Sequence, residues 1–199
     1  MSTSTSPEIS CKPSASPSTW LGVMGGGQLG RMFTHAAQAM GYKVAVLEPS
    51  SDCPAGHAAD HLLAAAYTDA NALSELGAQC SAVTTEFENV PAESLSTLAA
   101  HTFVAPSAAC VSIAQDRLAE KQFFIECAKA SGVLPAPHQA IAVAADIDAL
   151  PDSLFPGIVK TVRLGYDGKG QVRVTSKEAV RAAFEGMNHV ECVLEKMLP

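Results

Sequence analysis

The sequence predicts an α/β protein in which a doubly wound parallel sheet is followed by an α+β lobe. Three observations carry that prediction. Short apolar runs alternate with helix-period segments from residue 20 to about residue 104. A glycine-rich turn joins the first run to the first helix. Beyond residue 130, strand-like runs outnumber helices.

Residues 20 to 24 are a short apolar run ending in Gly25-Gly26-Gly27-Gln28-Leu29-Gly30, and a helical pattern follows from about Leu29 to Met40, where Gly41 stops it. Residues 43 to 47 form the next strand, broken by Glu48-Pro49, which completes a βαβ unit of about thirty residues. A weak strand at 61 to 65, a helix at 70 to 76 ended by Gly77, a strand at 82 to 85, a helix at 91 to 100 and a strand at 102 to 104 continue the alternation. The second region opens near Asp116, a good N-cap for an amphipathic helix to Ala130 with Gly132 beyond its end. Strands are expected at 139 to 143, 157 to 161, 171 to 174 and 192 to 196, with one helix at 177 to 184 capped by Ser176.

Composition narrows the function classes. At 199 residues and 48% apolar content the chain can bury a core, as one large domain or two small ones. Thirteen Lys and Arg against twenty Asp and Glu give a net charge of −7 without a basic run, which argues against a nucleic-acid surface. Apolar stretches stop well short of the ~18 residues that span a membrane. Residues 1 to 18 are rich in Ser, Thr and Pro, lack the basic start and apolar core of a signal peptide, and read as a disordered tail. A cytoplasmic location is expected. The six cysteines are widely spaced with no zinc grouping, which fits reduced thiols. His57 and His61 stand four apart, a spacing that could place two metal ligands on one helix face, but no third ligand accompanies them and no metal residue is assigned.

Residues 156 to 171, Pro-Gly-Ile-Val-Lys-Thr-Val-Arg-Leu-Gly-Tyr-Asp-Gly-Lys-Gly-Gln, carry the most chemistry. A short strand delivers Lys160 at its end, and Gly165, Gly168 and Gly170 then leave backbone N–H groups free to approach oxygens closely. Lys160 and Lys169 add point charges for a phosphate chain, an arrangement suited to phosphoryl transfer. The ending Gly-Lys-[Ser/Thr] is missing, so this is not a Walker loop. A plain Gly-rich hairpin with an incidental lysine is the structural alternative.

Gly25-x-Gly27-x-x-Gly30 satisfies the dinucleotide fingerprint, and Glu48 stands about where a ribose-binding acid belongs. Any strand-to-helix turn that binds an anion at a helix N-terminus benefits from the same glycines, however. Gln28 in that turn could hydrogen-bond a sugar or phosphate. The segment Thr84-Thr85-Glu86-Phe87-Glu88-Asn89-Val90-Pro91 follows a strand and so faces the Gly turn, where two acids and an amide could grip hydroxyl or amino groups. It could equally be an acidic loop capping the next helix.

With these residues in place, the chain from about residue 20 resembles the amino-terminal half of the 5-(carboxyamino)imidazole ribonucleotide synthases, ATP-grasp ligases of purine biosynthesis. The resemblance rests on Gly-Gly-Gly-Gln-Leu-Gly-Arg-Met at 25 to 32, Thr-Glu-Phe-Glu-Asn-Val at 85 to 90, Gln-Asp-Arg-Leu-x-x-Lys at 115 to 121, Gly-Tyr-Asp-Gly-Lys-Gly-Gln at 165 to 171, and Glu-Lys at 195 and 196. It implies a Rossmann-like pre-ATP-grasp domain at 19 to 115 with a parallel sheet, then an incomplete α+β ATP-grasp domain at 116 to 199. Arg117, Lys160, the stretch Gly165, Tyr166, Asp167, Gly168, Lys169, Gly170 and Gln171, and the segment Glu195, Lys196, Met197 and Leu198 would bind ATP, the last four reading the adenine edge. Tyr166, Asp167 and Lys169 would orient the reacting centre. Gly27, Gln28, Leu29, Glu86 and Asn89 would contact aminoimidazole ribonucleotide.

The implied reaction is bicarbonate attack on the γ-phosphate, giving carboxyphosphate, which releases carbon dioxide to carboxylate the substrate amine. The implied partners are ATP, bicarbonate, the ribonucleotide and Mg2+ with ligands outside these residues, and a homodimer of the full-length protein. The family continues past the point matching Pro199, so a fragment, inactive alone and exposing apolar surface beyond residue 116, is expected. The rivals are another ATP-grasp ligase such as a formate-dependent glycinamide ribonucleotide transformylase, a non-catalytic nucleotide-binding fragment, and an NAD-dependent oxidoreductase.

Overall fold

The protein is described by a computed structural model covering residues 19–165 and 170–198. The tail at 1–18 and the expected site residues Tyr166, Asp167, Gly168 and Lys169 lie outside the described residues. The chain divides into two compact units, one holding the residues up to 90 together with 94–105, the other holding 91–93 and those from 106 onward.

The first unit is a five-stranded sheet with every neighbouring pair parallel. Its elements are β1 (Trp20–Met24), α1 (Gln28–Ala39), β2 (Lys43–Glu48), β3 (His61–Ala64), α2 (Ala70–Gln79), β4 (Ala82–Thr85), α3 (Ala92–Ala99) and β5 (Phe103–Val104). The order β3-β2-β1-β4-β5 reverses between β1 and β4, and that reversal is the crevice where ligands of such sheets bind. Val44, Ala45, Val46 and Leu47 of β2 are wholly buried, the continuous apolar run of a strand covered on both faces. Thr34 in α1 is buried without cost because its hydroxyl donates to Gly30 O at 2.8 Å.

The second unit begins with α4 (Ala108–Ala114) and α5 (Arg117–Ser131). It continues with an antiparallel sheet of β6 (His138–Ile141), β7 (Gly157–Thr161), β8 (Gln171–Val174) and β9 (Cys192–Lys196), backed by α6 (Lys177–Gly186). The sheet order is β6-β9-β7-β8. Ile141, Leu154, Val159, Val180, Phe184 and Leu194 are among the residues of its own apolar core. Asp116 caps α5 through Leu118 N–H and Ala119 N–H, Gly132 ends it at φ 72°, and Ser176 caps α6 through Ala179 N–H.

Several expectations are corrected. Gly77 does not end α2, which runs on to Gln79; a Cβ at Gly77 would sit 3.1 Å from His101 Cβ, so this glycine serves close packing. The strand expected at 139 to 143 closes at Ile141, because the Asp146 carboxylate accepts from Ala142 N–H and Val143 N–H at 2.9 Å each and turns the chain into a 3-10 helix. α4 is an element the sequence reading did not include: only seven residues long, it buries Val111 alone. α5 is not amphipathic in the expected sense, since its one buried residue is Lys121 while Phe123 and Phe124 are exposed. His57 lies in a turn and His61 opens β3, so the two do not share a helix face.

Among the described residues, ten of the fourteen exposed large apolar side chains lie beyond residue 116. Five cysteines are free and Cys11 lies outside the description. No helix among the described residues is long and apolar enough to cross a membrane.

The turn after β1 has no spare room. A Cβ on Gly30 would fall 2.6 Å from Gly25 O and 2.8 Å from Glu86 Oε2. Gly30→Ala is therefore expected to destabilise the first unit by about 1–3 kcal/mol, read as a lower urea midpoint at unchanged slope.

Candidate functional site

Two constellations gather the chemistry, one in each unit. In the first, β1, β2 and β4 all deliver their carboxyl ends to the reversal point, which places the Gly turn, Glu48 and Glu86 together. Gly27 has no side chain to cap α1, yet the helix start is not left open. Glu86 Oε1 accepts from Gly27 N–H at 2.8 Å, and Glu86 Oε2 accepts from Gly30 N–H. Glu48 Oε2 accepts from Gly26 N–H at 2.8 Å and from the Tyr67 hydroxyl at 2.5 Å. Burial, then that hydrogen bond and the nearby negative charges, push the Tyr67 hydroxyl far above its ordinary range, so it stays a neutral donor.

This explains the glycine pattern without a dinucleotide. A helix N-terminus attracts an anion, and here the anion is a carboxylate of the chain itself. A pyrophosphate seated on the turn would have to displace Glu86 from two amides and would meet the charge of Glu48, so the NAD reading loses its physical basis. What remains is a cleft of 430 Å³ lined by Gly26, Gly27, Glu48, Tyr67, Glu86 and Phe87, among others. Gln28 and Leu29 are exposed on the first turn of α1, and Asn89 is half-buried.

The second constellation lies on the outer face of the antiparallel sheet. Ile158 of β7 pairs with Glu195 of β9, and Lys160, two residues on, shares that face; Val159 and Leu194 point the other way, into the core. The Glu195 carboxylate takes Lys160 Nζ on Oε2 at 2.8 Å and Lys121 Nζ on Oε1 at 3.1 Å. All three side chains are largely buried. Burial alone would raise the Glu195 carboxyl, but hydrogen bonds and charge from the two lysines outweigh it and hold the group below its ordinary 4.5. Lys121 carries no assigned role in the sequence reading. Its signal was present in the spacing Arg117-x-x-x-Lys121, which puts both cations on one face of α5.

Arg117 meets the same region from the start of α5. Its Nε donates to Thr161 O at 3.1 Å and its Nη2 to Gly165 O at 3.2 Å. Thr161 N–H donates to Gly170 O at 2.9 Å, and Gly170 adopts φ 69° against the Thr161 side chain. Gln171 opens β8 opposite Lys160. Of the segment expected to read adenine, Lys196 N–H donates to Pro137 O at 2.8 Å and Met197 N–H to Pro156 O at 3.0 Å, while Leu198 is exposed. The structure therefore brings together Arg117, Lys160, Gly165, Gly170, Gln171 and Glu195, and adds Lys121. Lysines and an arginine converging beside a glycine-rich stretch form a cationic surface suited to phosphate oxygens.

Comparison with known proteins bears on both constellations. The ribonucleotide synthetase preATP-grasp domain profile matches residues 19–115, and the ATP-grasp domain profile matches residues 126–199. N5-carboxyaminoimidazole ribonucleotide synthase of Staphylococcus aureus (strain COL) is 41% identical over 179 residues, covering 89% of this chain and 47% of that protein. The chain thus spans about half the length of the curated relatives it matches. The crystal structure of N5-carboxyaminoimidazole synthetase from S. aureus complexed with ADP superposes with a TM-score of 0.82 at 40% identity, over 90% of this chain and 48% of that one. N5-carboxyaminoimidazole synthase from Aspergillus clavatus, in complex with ADP and 5-aminoimidazole ribonucleotide, superposes with a TM-score of 0.75 at 26% identity, over 91% and 47%.

The electrostatics of Glu195 fix a pH dependence. With its carboxyl depressed in the folded chain, Glu195 stabilises the second unit fully above the ordinary value of 4.5, and that contribution is lost as pH falls through the lower folded value. Glu195→Gln cannot titrate, so wild type is expected to be the more stable near neutrality and the gap to close on acidification below 4.5. Thermal midpoints of both proteins between pH 7 and pH 3 provide the check, and a constant gap would rule the linkage out.

Proposed function

From these matches we propose that the chain forms part of an ATP-grasp ligase of the N5-carboxyaminoimidazole ribonucleotide synthase kind, which carboxylates 5-aminoimidazole ribonucleotide with bicarbonate and ATP. The observation that carries this reading is the Lys121–Glu195–Lys160 centre beside the Gly165 and Gly170 stretch, with Arg117 at its entry. ADP in the S. aureus relative and ADP with 5-aminoimidazole ribonucleotide in the A. clavatus relative support the two ligand classes.

In this reading Glu195 holds the two lysines in place until phosphate oxygens replace part of its role as their counter-ion. Lys160 and Lys121 then neutralise the phosphate chain. A bicarbonate oxygen attacks the γ-phosphorus as the bond to the β-γ bridging oxygen breaks, giving carboxyphosphate and ADP. Carboxyphosphate separates into carbon dioxide and phosphate. The substrate amine adds to the carbon of carbon dioxide and loses a proton, leaving the N-carboxy product. Tyr166, Asp167 and Lys169 are proposed to orient the reacting groups. Gly27, Gln28, Leu29, Glu86 and Asn89 are proposed to hold the ribonucleotide, with the adenine edge read by the backbone from Glu195 to Leu198.

Mg2+ would neutralise the β and γ oxygens when bound. The described residues do not fit it: no group of three His, Cys, Asp or Glu is placed to hold a metal, and Glu195 is already matched by two lysines. Its ligands are proposed to lie outside these residues. A cytoplasmic location and a homodimer of the whole protein complete the proposal.

Lys160→Met in the 199-residue chain is expected to weaken ADP binding by about tenfold or more, because a charge-assisted hydrogen bond to phosphate contributes roughly 1.5 to 3 kcal/mol. Titration calorimetry reads it, and an unchanged dissociation constant in a folded variant would remove Lys160 from the site. In the whole protein, Gln28→Ala is expected to raise KM for aminoimidazole ribonucleotide while leaving KM for ATP near wild type. The reverse pattern would overturn the assignment of the two ligands.

A further inference from the structure

Asp116 divides its carboxylate between two tasks. Oδ1 accepts from Leu118 N–H and Ala119 N–H at 3.0 Å each, capping α5, while Oδ2 accepts from Arg163 Nη2 at 2.8 Å. Its neighbour Arg117 donates its backbone N–H to Val162 O at 3.0 Å and its guanidinium to Thr161 O and Gly165 O. Two consecutive residues at the start of α5 thus bond to Thr161, Val162, Arg163 and Gly165, leaving only Leu164 between tied positions.

Leu164 supplies an independent sign that this entry is held in place. It adopts φ 59° and is exposed. A branched, non-glycine side chain in the left-handed region is strained, and such a conformation persists where its surroundings over-determine it. The bonds on either side, at Arg163 and Gly165, supply that over-determination. Asp116 is the better shielded partner of the ion pair, and Arg163 is the more exposed.

We propose that Asp116 and Arg163 are positioning residues that fix the entry of the Gly-rich stretch against the N-terminus of α5, so that the backbone from Thr161 to Gly165 leaves Lys160 in a set direction. Neither touches the lysine centre; they act through the backbone that Arg117 also holds. The proposal rests on the phosphate reading above, because the direction of this backbone matters to a nucleotide only if its phosphates lie beside Lys160.

The test uses the 199-residue chain and three variants. Asp116→Asn keeps an oxygen to cap α5 and removes the charge that holds Arg163; Arg163→Gln removes the other partner; the third carries both changes. Amide exchange at Thr161 and Arg117 in the ligand-free chain is expected to speed up about two- to fivefold in each single variant, the range for a part-exposed ion pair, with no further change in the double variant. Exchange at Val159 and Leu194 in the β7–β9 ladder stays as in wild type. ADP affinity is expected to fall by the same two- to fivefold while AMP affinity holds, a split that general loosening of the unit would not produce. Unchanged exchange at Thr161 and Arg117, additive effects in the double variant, or equal losses for ADP and AMP each overturn the proposal. If exchange loosens as expected but the wild-type chain binds no ADP, the anchor stands and the phosphate reading of the site falls.

Discussion

A carboxylate drawn away from water must be met by donors or charges, and each unit is organised around one that is. Glu86 closes the start of α1 by taking two backbone amides at the reversal point of the parallel sheet, and Glu195 sits between two lysines on the antiparallel sheet. Leaving either carboxylate unmatched would cost several kcal/mol. The positions of the Gly turn, of Lys160 and of Lys121 follow from satisfying these two groups. Both carboxylates stand at or next to strand ends, where the fold brings donors from elements far apart in sequence.

The two solutions differ in kind. Backbone amides cannot leave, so Glu86 completes the turn, and its presence accounts for the dinucleotide-like glycine pattern without a pyrophosphate. Lysine side chains can exchange partners. Glu195 therefore holds two cations together in a low-dielectric place, an arrangement suited to meeting an incoming polyanion. The depressed Glu195 carboxyl expresses the same balance, since attraction from both lysines exceeds the cost of burial.

Around the second centre, α5 does more than cover the sheet. It buries almost none of its apolar side chains, and the side chain it sends inward is Lys121. Its N-terminus ties the entry to the Gly-rich stretch through Asp116 and Arg117. The helix start thus carries an ion pair, a backbone clamp and a cation within the six residues from Asp116 to Lys121, which accounts for a segment as polar as Gln-Asp-Arg-Leu-Ala-Glu-Lys at the start of a helix.

By itself the sequence determined the elements whose causes are local. The alternation of apolar runs set β1 to β5 and their parallel arrangement, Asp116 and Gly132 bounded α5, Ser176 began α6, and the motif spacings pointed to the family and to Lys160, Arg117 and Glu195. Tertiary structure alone decided what those residues do to one another. Glu86 reaches Gly27 across 59 positions, so no window of the sequence could reveal that the fingerprint glycines already hold an anion. Gly77 looked like a stop because a glycine's packing partner, here His101, is invisible in one dimension. Lys121 stood in the Gln-Asp-Arg-Leu-x-x-Lys motif without an assigned role, and only the folded chain, by bringing Glu195 of β9 to it, gives it one. Propensity and periodicity act over a few residues and are legible in order along the chain, whereas the pairing of buried charges depends on which strands become neighbours, and only the folded sheet settles that.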